Sequence, residues 1–138
     1  MAAAHKNKTL TSFLAFSLGG LGAHRFYLRG MKDRWAWLHL SCVPATLLIA
    51  ALAPQADIYY KILPIIISFL IGYLAALVLG LIADDKWDAT CNAHSGKQSA
   101  SSWPLALLLV ASLLMGSGGL IAAISRLFDL LYTGGAYG

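Results

Sequence analysis

The chain contains no glutamate. Six aspartates are its whole acidic content, and charged residues of both signs make up only 12% of its 138 residues. Ordinary soluble domains carry roughly 25%. With 59% hydrophobic residues and a mean hydropathy of +0.70, a chain of this size cannot hide its apolar surface in a core of its own. A soluble globular protein is therefore excluded. Cysteine is scarce too. Cys42 lies in an apolar run and Cys91 in a polar one, so they are expected at different depths, as free thiols. Catalytic groupings are also missing. There is no Ser/His/Asp pattern and no phosphate-binding glycine loop with its lysine. No carboxylate lies within a long apolar run to relay protons. No enzyme is expected, and no catalytic residue is assigned. Cys91 and His94 supply two of the four ligands a structural zinc site needs, His24 lies in the loop, and the shallow His39 is read as a neutral hydrogen-bonding residue; no metal or other cofactor is expected.

What the chain does have is long uncharged runs. Trp35 to Pro54, Ile62 to Ala83 and Gln98 to Ser125 contain no Asp, Glu, Lys or Arg. At about 1.5 Å per residue, each is long enough for a bilayer core of about 30 Å. A further apolar segment, Thr9 to Ala23, would reach only about 22 Å as a helix. The runs are continuous, unlike the alternating strands of a barrel. The expectation is an all-α integral membrane bundle of three to four transmembrane helices, the first segment short and able only to dip into the membrane. Residues 1–138 form one membrane domain, with a helical hairpin over 8–53 and a second helix pair over 54–138 joined by a polar loop at 84–102. Pro44 should kink its helix, while Pro64 and Pro104 are expected in first turns, where a missing N–H does no harm. The segment Leu21-Gly22-Ala23 is a poor cleavage site, so a removable signal peptide is not expected.

Ten Lys and Arg against six Asp leave a net charge of +4. In a membrane protein this excess reports on orientation. There is no basic, aromatic-interleaved soluble surface, so nucleic acid is not expected as a partner. If all four segments cross, the two sides carry six and four basic residues. If the first only dips, the split becomes eight to two. Both arrangements place loops 24–34 and 84–102 in the cytoplasm. Trp35, Trp37, Trp87 and Trp103 fall near that interface, and Tyr59 and Tyr60 near the opposite one.

Small residues recur at helical spacing: Ala15, Gly19 and Ala23; Ser68, Gly72, Ala76 and Gly80; Ser112 and Gly116; Gly118 and Ala122. Such faces let helices pack closely, within the chain or against other integral membrane proteins. Asp84, Asp85 and Asp88 follow the third run. Read at a helix C-terminus, where the dipole disfavours them, they are expected to pair with Arg25, Arg29 or Arg34.

The most distinctive string is Gly19-Gly20-Leu21-Gly22-Ala23-His24-Arg25-Phe26-Tyr27-Leu28-Arg29-Gly30. Its glycines allow a sharp turn, its arginines can reach lipid head groups, and Phe26, Tyr27 and Leu28 can anchor it at the interface. From Lys8 to about Leu48 the chain resembles the TM-two domain family, in which two membrane helices flank a short loop. Arg29 departs from the pattern, where the family runs from Leu straight to Gly. The segment from Asp84 to Ser102 resembles an extension of some bacterial members, which implies a bacterial inner membrane. The resemblance implies a hairpin and no activity. The function expected is a non-catalytic interaction protein, an accessory subunit of a larger membrane complex such as a respiratory or photosynthetic one. The alternative is a homo-oligomeric sensor, channel or transporter.

Overall fold

The computed structural model describes residues 4–138. Their secondary structure is helical throughout: α1 Lys8–Leu18, α2 Ala23–Arg29, α3 Arg34–Leu40, α4 Cys42–Leu52, α5 Ile58–Gly80, α6 Asp84–Cys91 and α7 Trp103–Thr133, with 3-10 turns at Gly19–Leu21 and Gly30–Lys32. Among the described residues, three stretches are long and apolar enough to cross a membrane: α3 with α4, α5, and α7.

The long helix α5 is the axis of the bundle. It starts at Asp57, whose carboxylate accepts from Tyr59 N at 2.8 Å and caps the first turn. Pro64 lies inside it, not in the first turn, because the helix begins four residues earlier than the uncharged run. α7 runs antiparallel to α5. At one end Tyr59 Oη donates to Ala123 O at 2.8 Å, and Arg126 Nη2 meets Asp57 Oδ2 at 3.0 Å. At the other end Leu105 and Leu109 close on Gly80. α7 also continues past Ser125 to Thr133, where Gly134 adopts a left-handed φ of 70° and ends it. At 31 residues it is about 46 Å long and outreaches the hydrocarbon core.

The crossing helix after the hairpin is broken in two at Ser41. Pro44 explains the break: it has no N–H for the Leu40 carbonyl, and its ring crowds that oxygen. The Ser41 hydroxyl turns back to Leu38 O at 2.6 Å.

α1 does not cross. Its 11 residues reach about 16 Å. It lies antiparallel to the C-terminal half of α5. Lys8 Nζ donates to Ile82 O at 2.7 Å, and Gly19 lies against Gly72. Gly20, with its carbonyl on the Ser68 hydroxyl, is therefore about 18 Å along α5 from Gly80, near the middle of that helix. The chain then doubles back: the hydroxyl of Tyr27 accepts from Asn7 N at 3.0 Å and the Tyr27 carbonyl from Lys6 Nζ at 2.8 Å. Together α1 and α2 form a re-entrant hairpin that enters and leaves at one end of the bundle. Lys6, Lys8, Arg25, Arg29, Lys32, Arg34, Lys86 and Lys97 all belong to that end, and Lys61 and Arg126 to the other. The eight-to-two division follows.

Three crossings instead of four put residue 4 and the end of α7 at Thr133 on opposite sides. A reporter protein fused at the N-terminus and one fused after Gly138 should give opposite compartment signals; the same signal from both would mean that α1 crosses completely.

Candidate functional site

A helix that stops inside the membrane leaves carbonyl groups without partners, and lipid supplies no donors. The glycine string meets this problem against the middle of α5. Gly22 takes a left-handed φ of 78° and turns the chain, with Gly22 N donating to Gly19 O at 3.0 Å. A side chain there would have its Cβ 2.7 Å from Ala36 O. The buried Gly20 carbonyl accepts from Ser68 Oγ at 2.6 Å and from Cys42 Sγ at 3.5 Å. His39 Nδ1 lies 2.8 Å from Ser68 Oγ. Because the serine hydroxyl has a single proton and gives it to Gly20, His39 Nδ1 is the donor in that pair. The His24 ring stands edge-on to His39 with centroids 5.8 Å apart. Ser68, grouped by its spacing with the small packing residues, is thus also the polar cap of the hairpin. An apolar periodicity hides that role; the signal for it was a run of glycines ending a helix too short to cross.

The hairpin is seated by backbone-to-backbone contact. Gly72 lies under Gly19, so close that a Cβ on Gly19 would come within 2.7 Å of Gly72 Cα. Ala15, Gly19, Ser68, Gly72, Ala76 and Gly80 are all buried, in one seam between α1, α5 and α7. Ser112 is buried as well, its hydroxyl on Leu108 O of its own helix at 2.7 Å, and Gly116 faces Tyr73. Ala23 lies at the start of α2, off the α1 face on which its spacing set it. Gly118 and Ala122 point outwards, and among the described residues nothing comes within 4 Å of a Cβ built on Gly118.

Above the hairpin, Arg25 Nε donates to Asp33 Oδ2 at 2.8 Å. Asp33 also caps α3, accepting from Trp35 N at 3.2 Å. Burial pushes the Asp33 carboxyl up, but the bonds from Arg25 and Trp35 outweigh it and the net shift is downward. Phe26 packs edge-on against Trp37 with centroids 5.3 Å apart, while Arg29 and Arg34 are exposed.

The ion pairs expected across this end are therefore corrected. Arg25 takes Asp33, and Asp84 pairs with Lys8 instead. Asp84 and Asp85 do not end a helix. They open α6 in its first turn, where the dipole favours a negative charge. The stretch 84–102 thus begins as a helix and is a loop only beyond Cys91. Asp84 also accepts from Ser101 N at 2.8 Å and Ser101 Oγ at 2.7 Å. Its bonds from Lys8 and Ser101 hold its carboxyl down at about 2. Asp88 takes Ser99 N at 2.6 Å, Ser99 Oγ at 2.6 Å and Asn92 Nδ2 at 2.9 Å, which hold its carboxyl below the usual range. Asp85 and Arg34 form no ion pair among the described residues.

Trp87, read as an interface aromatic, is buried at 1% exposure, with Nε1 on Lys6 O at 2.9 Å. Asn92 closes the same strap, accepting from Lys6 N at 2.6 Å and donating to Lys6 O at 3.0 Å. Lys6 Nζ lies 4.7 Å over the Tyr27 ring. Residues 5–8, α2 and α6 are thereby latched together over the mouth of the hairpin.

Residues 4–53 match the TM2 domain, which covers α1 to α4 and includes the whole re-entrant hairpin. The resemblance read from the glycine-to-arginine string is thus shown. No curated protein and no solved structure matches the chain. The apolar crossings and this match make it a multi-pass membrane protein.

Two substitutions test the site. Gly72→Leu forces α1 off α5 and should lower the thermal midpoint in detergent by an amount corresponding to about 1–3 kcal/mol of overpacking; an unchanged midpoint would refute the close seam. Asp84→Asn should raise amide exchange in residues 5–10 at neutral pH. In the native chain the folded Asp84 carboxyl titrates near 2, below the ordinary value of about 3.9. Its latch therefore contributes fully above about pH 4 and is lost as the pH falls towards 2. Protection in residues 5–10, corrected for the intrinsic pH dependence of exchange, should fall over that window in the native chain and change less there in the variant.

Proposed function

We propose that this TM2-domain chain is a non-catalytic interaction protein: an accessory subunit that offers α7 to a larger assembly in a bacterial inner membrane, with its basic end in the cytoplasm. The observation that carries this reading is the uncovered outer face of α7. Of its 31 residues, Leu105 and Ser112 are the buried ones among the described residues. Lipid alone gains nothing from a helix so loosely engaged, whereas a partner helix can pack along it. Gly118 and Ala122 lie on its outer face, one turn apart, which permits close approach of a second backbone. The orientation rests on the eight-to-two basic split. Respiratory and photosynthetic complexes are the hosts in view.

A second reading, a homo-oligomeric sensor, channel or transporter, is favoured by one feature. Half-helices that stop at mid-depth beside polar groups also build ion and substrate sites. Here Gly20 O, Ser68 and His39 form such a group.

Extraction from the native membrane in mild detergent should bring down this chain in fixed stoichiometry with a larger set of membrane proteins. Gly118→Leu should release it from that complex and leave its own melting behaviour intact, since the added side chain points into open space. A lone homo-oligomer that passes ions in vesicles would overturn the accessory reading in favour of the second.

A further inference from the structure

A groove of about 380 Å³ opens sideways between α3–α4 and α5, beside the hairpin. Its origin is local. The helix breaks at Ser41 ahead of Pro44, and small residues, Ser41, Cys42 and Ala45, line the wall there. The lining is graded along the membrane normal. Arg25 and Trp35 stand at the basic end, His39 and Ser68 come next, and Ala45, Pro64 and Ile67 form the apolar far part.

The charge is graded in the same sense. Between residues 24 and 34 the chain carries four cations, Arg25, Arg29, Lys32 and Arg34, and one carboxylate, Asp33, a surplus of three. Asp33 is already spent on Arg25 and on capping α3. A guanidinium has five N–H donors. Arg25 gives one, through Nε, to Asp33, and its side chain remains 26% exposed. Arg29, Lys32 and Arg34 form no ion pair among the described residues. Arg25 thus brings donors suited to a phosphate to the head of a groove whose far part is apolar, and the other three cations belong to the same short loop.

We propose that this groove binds one membrane phospholipid with an anionic head group, drawn from the leaflet at the basic end. Its phosphate lies on Arg25 and the neighbouring cations, and one acyl chain descends past His39 to Ala45 and Ile67. The volume suits this occupant, since single-ligand pockets run from about 300 to 1,000 Å³. The site lies on the α3–α5 face, apart from α7, so it goes beyond the accessory-subunit reading and does not depend on it.

The test is native mass spectrometry of the full chain in neutral detergent, with phosphatidylglycerol or phosphatidylcholine added at equal concentration. Phosphatidylglycerol should be retained as a single adduct about tenfold more than phosphatidylcholine. Ala45→Phe, which fills the groove, should abolish the adduct, while Ala122→Phe on the outer face of α7 keeps it. The surface pair Arg29→Gln with Lys32→Gln, whose side chains are exposed, should cut the preference without needing any change in the groove. Equal retention of the two lipids would overturn the proposal. So would an adduct that survives Ala45→Phe, or one that millimolar inorganic phosphate displaces, since that would place the contact at the head group alone.

Discussion

The structure depends on one close approach, that of Gly19 to Gly72. With no side chain on either residue, the backbone of α1 comes down onto the backbone of α5. Membrane helices gain little from burying apolar groups against one another, because lipid is equally apolar; packing contact and hydrogen bonds hold them together. A half-length helix can make few such contacts. It stays in place here because Gly19 and Gly72, with Ala15 and Ala76 on either side, permit contact at backbone distance. The same approach brings Ser68 within reach of the Gly20 carbonyl. The polar end of α1 is thus satisfied only because the glycines let it come so near.

From that contact the rest of the molecule follows in order. The hairpin turns at the middle of α5, and α2 returns to the end where it began. The N-terminal strap then lies beside α6, where Lys8 finds Asp84 and Lys6 finds Asn92 and Tyr27. Trp87 is drawn into the latch as its buried centre. At the opposite end the bundle is closed by a smaller set, Tyr59 on Ala123 and Arg126 between Asp57 and Asp129. The molecule is therefore tight and polar at one end, apolar and loosely covered along α7, and grooved beside α4.

The asymmetry has a functional meaning in the reading advanced above. Two faces are left over after the chain has satisfied its own needs. The outer face of α7 has small residues and, among the described residues, no neighbour at Gly118. The α3–α5 groove has a cationic head and an apolar body. Protein and lipid are recognised by different chemistry, and the two faces differ accordingly: one offers close backbone approach, the other charge above a slot.

The sequence by itself determined that the chain is helical and lives in a membrane, since continuous uncharged runs of about 20 residues admit no other solvent. It also determined the family resemblance, carried by the string from Gly19 to Gly30, and the small-residue seam on α5, carried by a four-residue repeat. Tertiary structure decided the rest. Charge counting favoured a first segment that only dips and the family resemblance, with its two membrane helices, a full span; Gly20 meeting Ser68 half-way along α5 supports the dip. The partners of the aspartates were misread because a helix boundary intervened. Asp84 and Asp85 begin α6 instead of ending α5, and the doubled-back hairpin delivers Lys8, 76 residues away in sequence, to Asp84. Likewise, the depth of Trp87 could not be read from its polar neighbours, because the strap that covers it comes from the other end of the chain. Periodicity and charge act along the sequence and can be read there. A pairing between distant residues depends on where the chain turns, and that was set by the contact of two glycines.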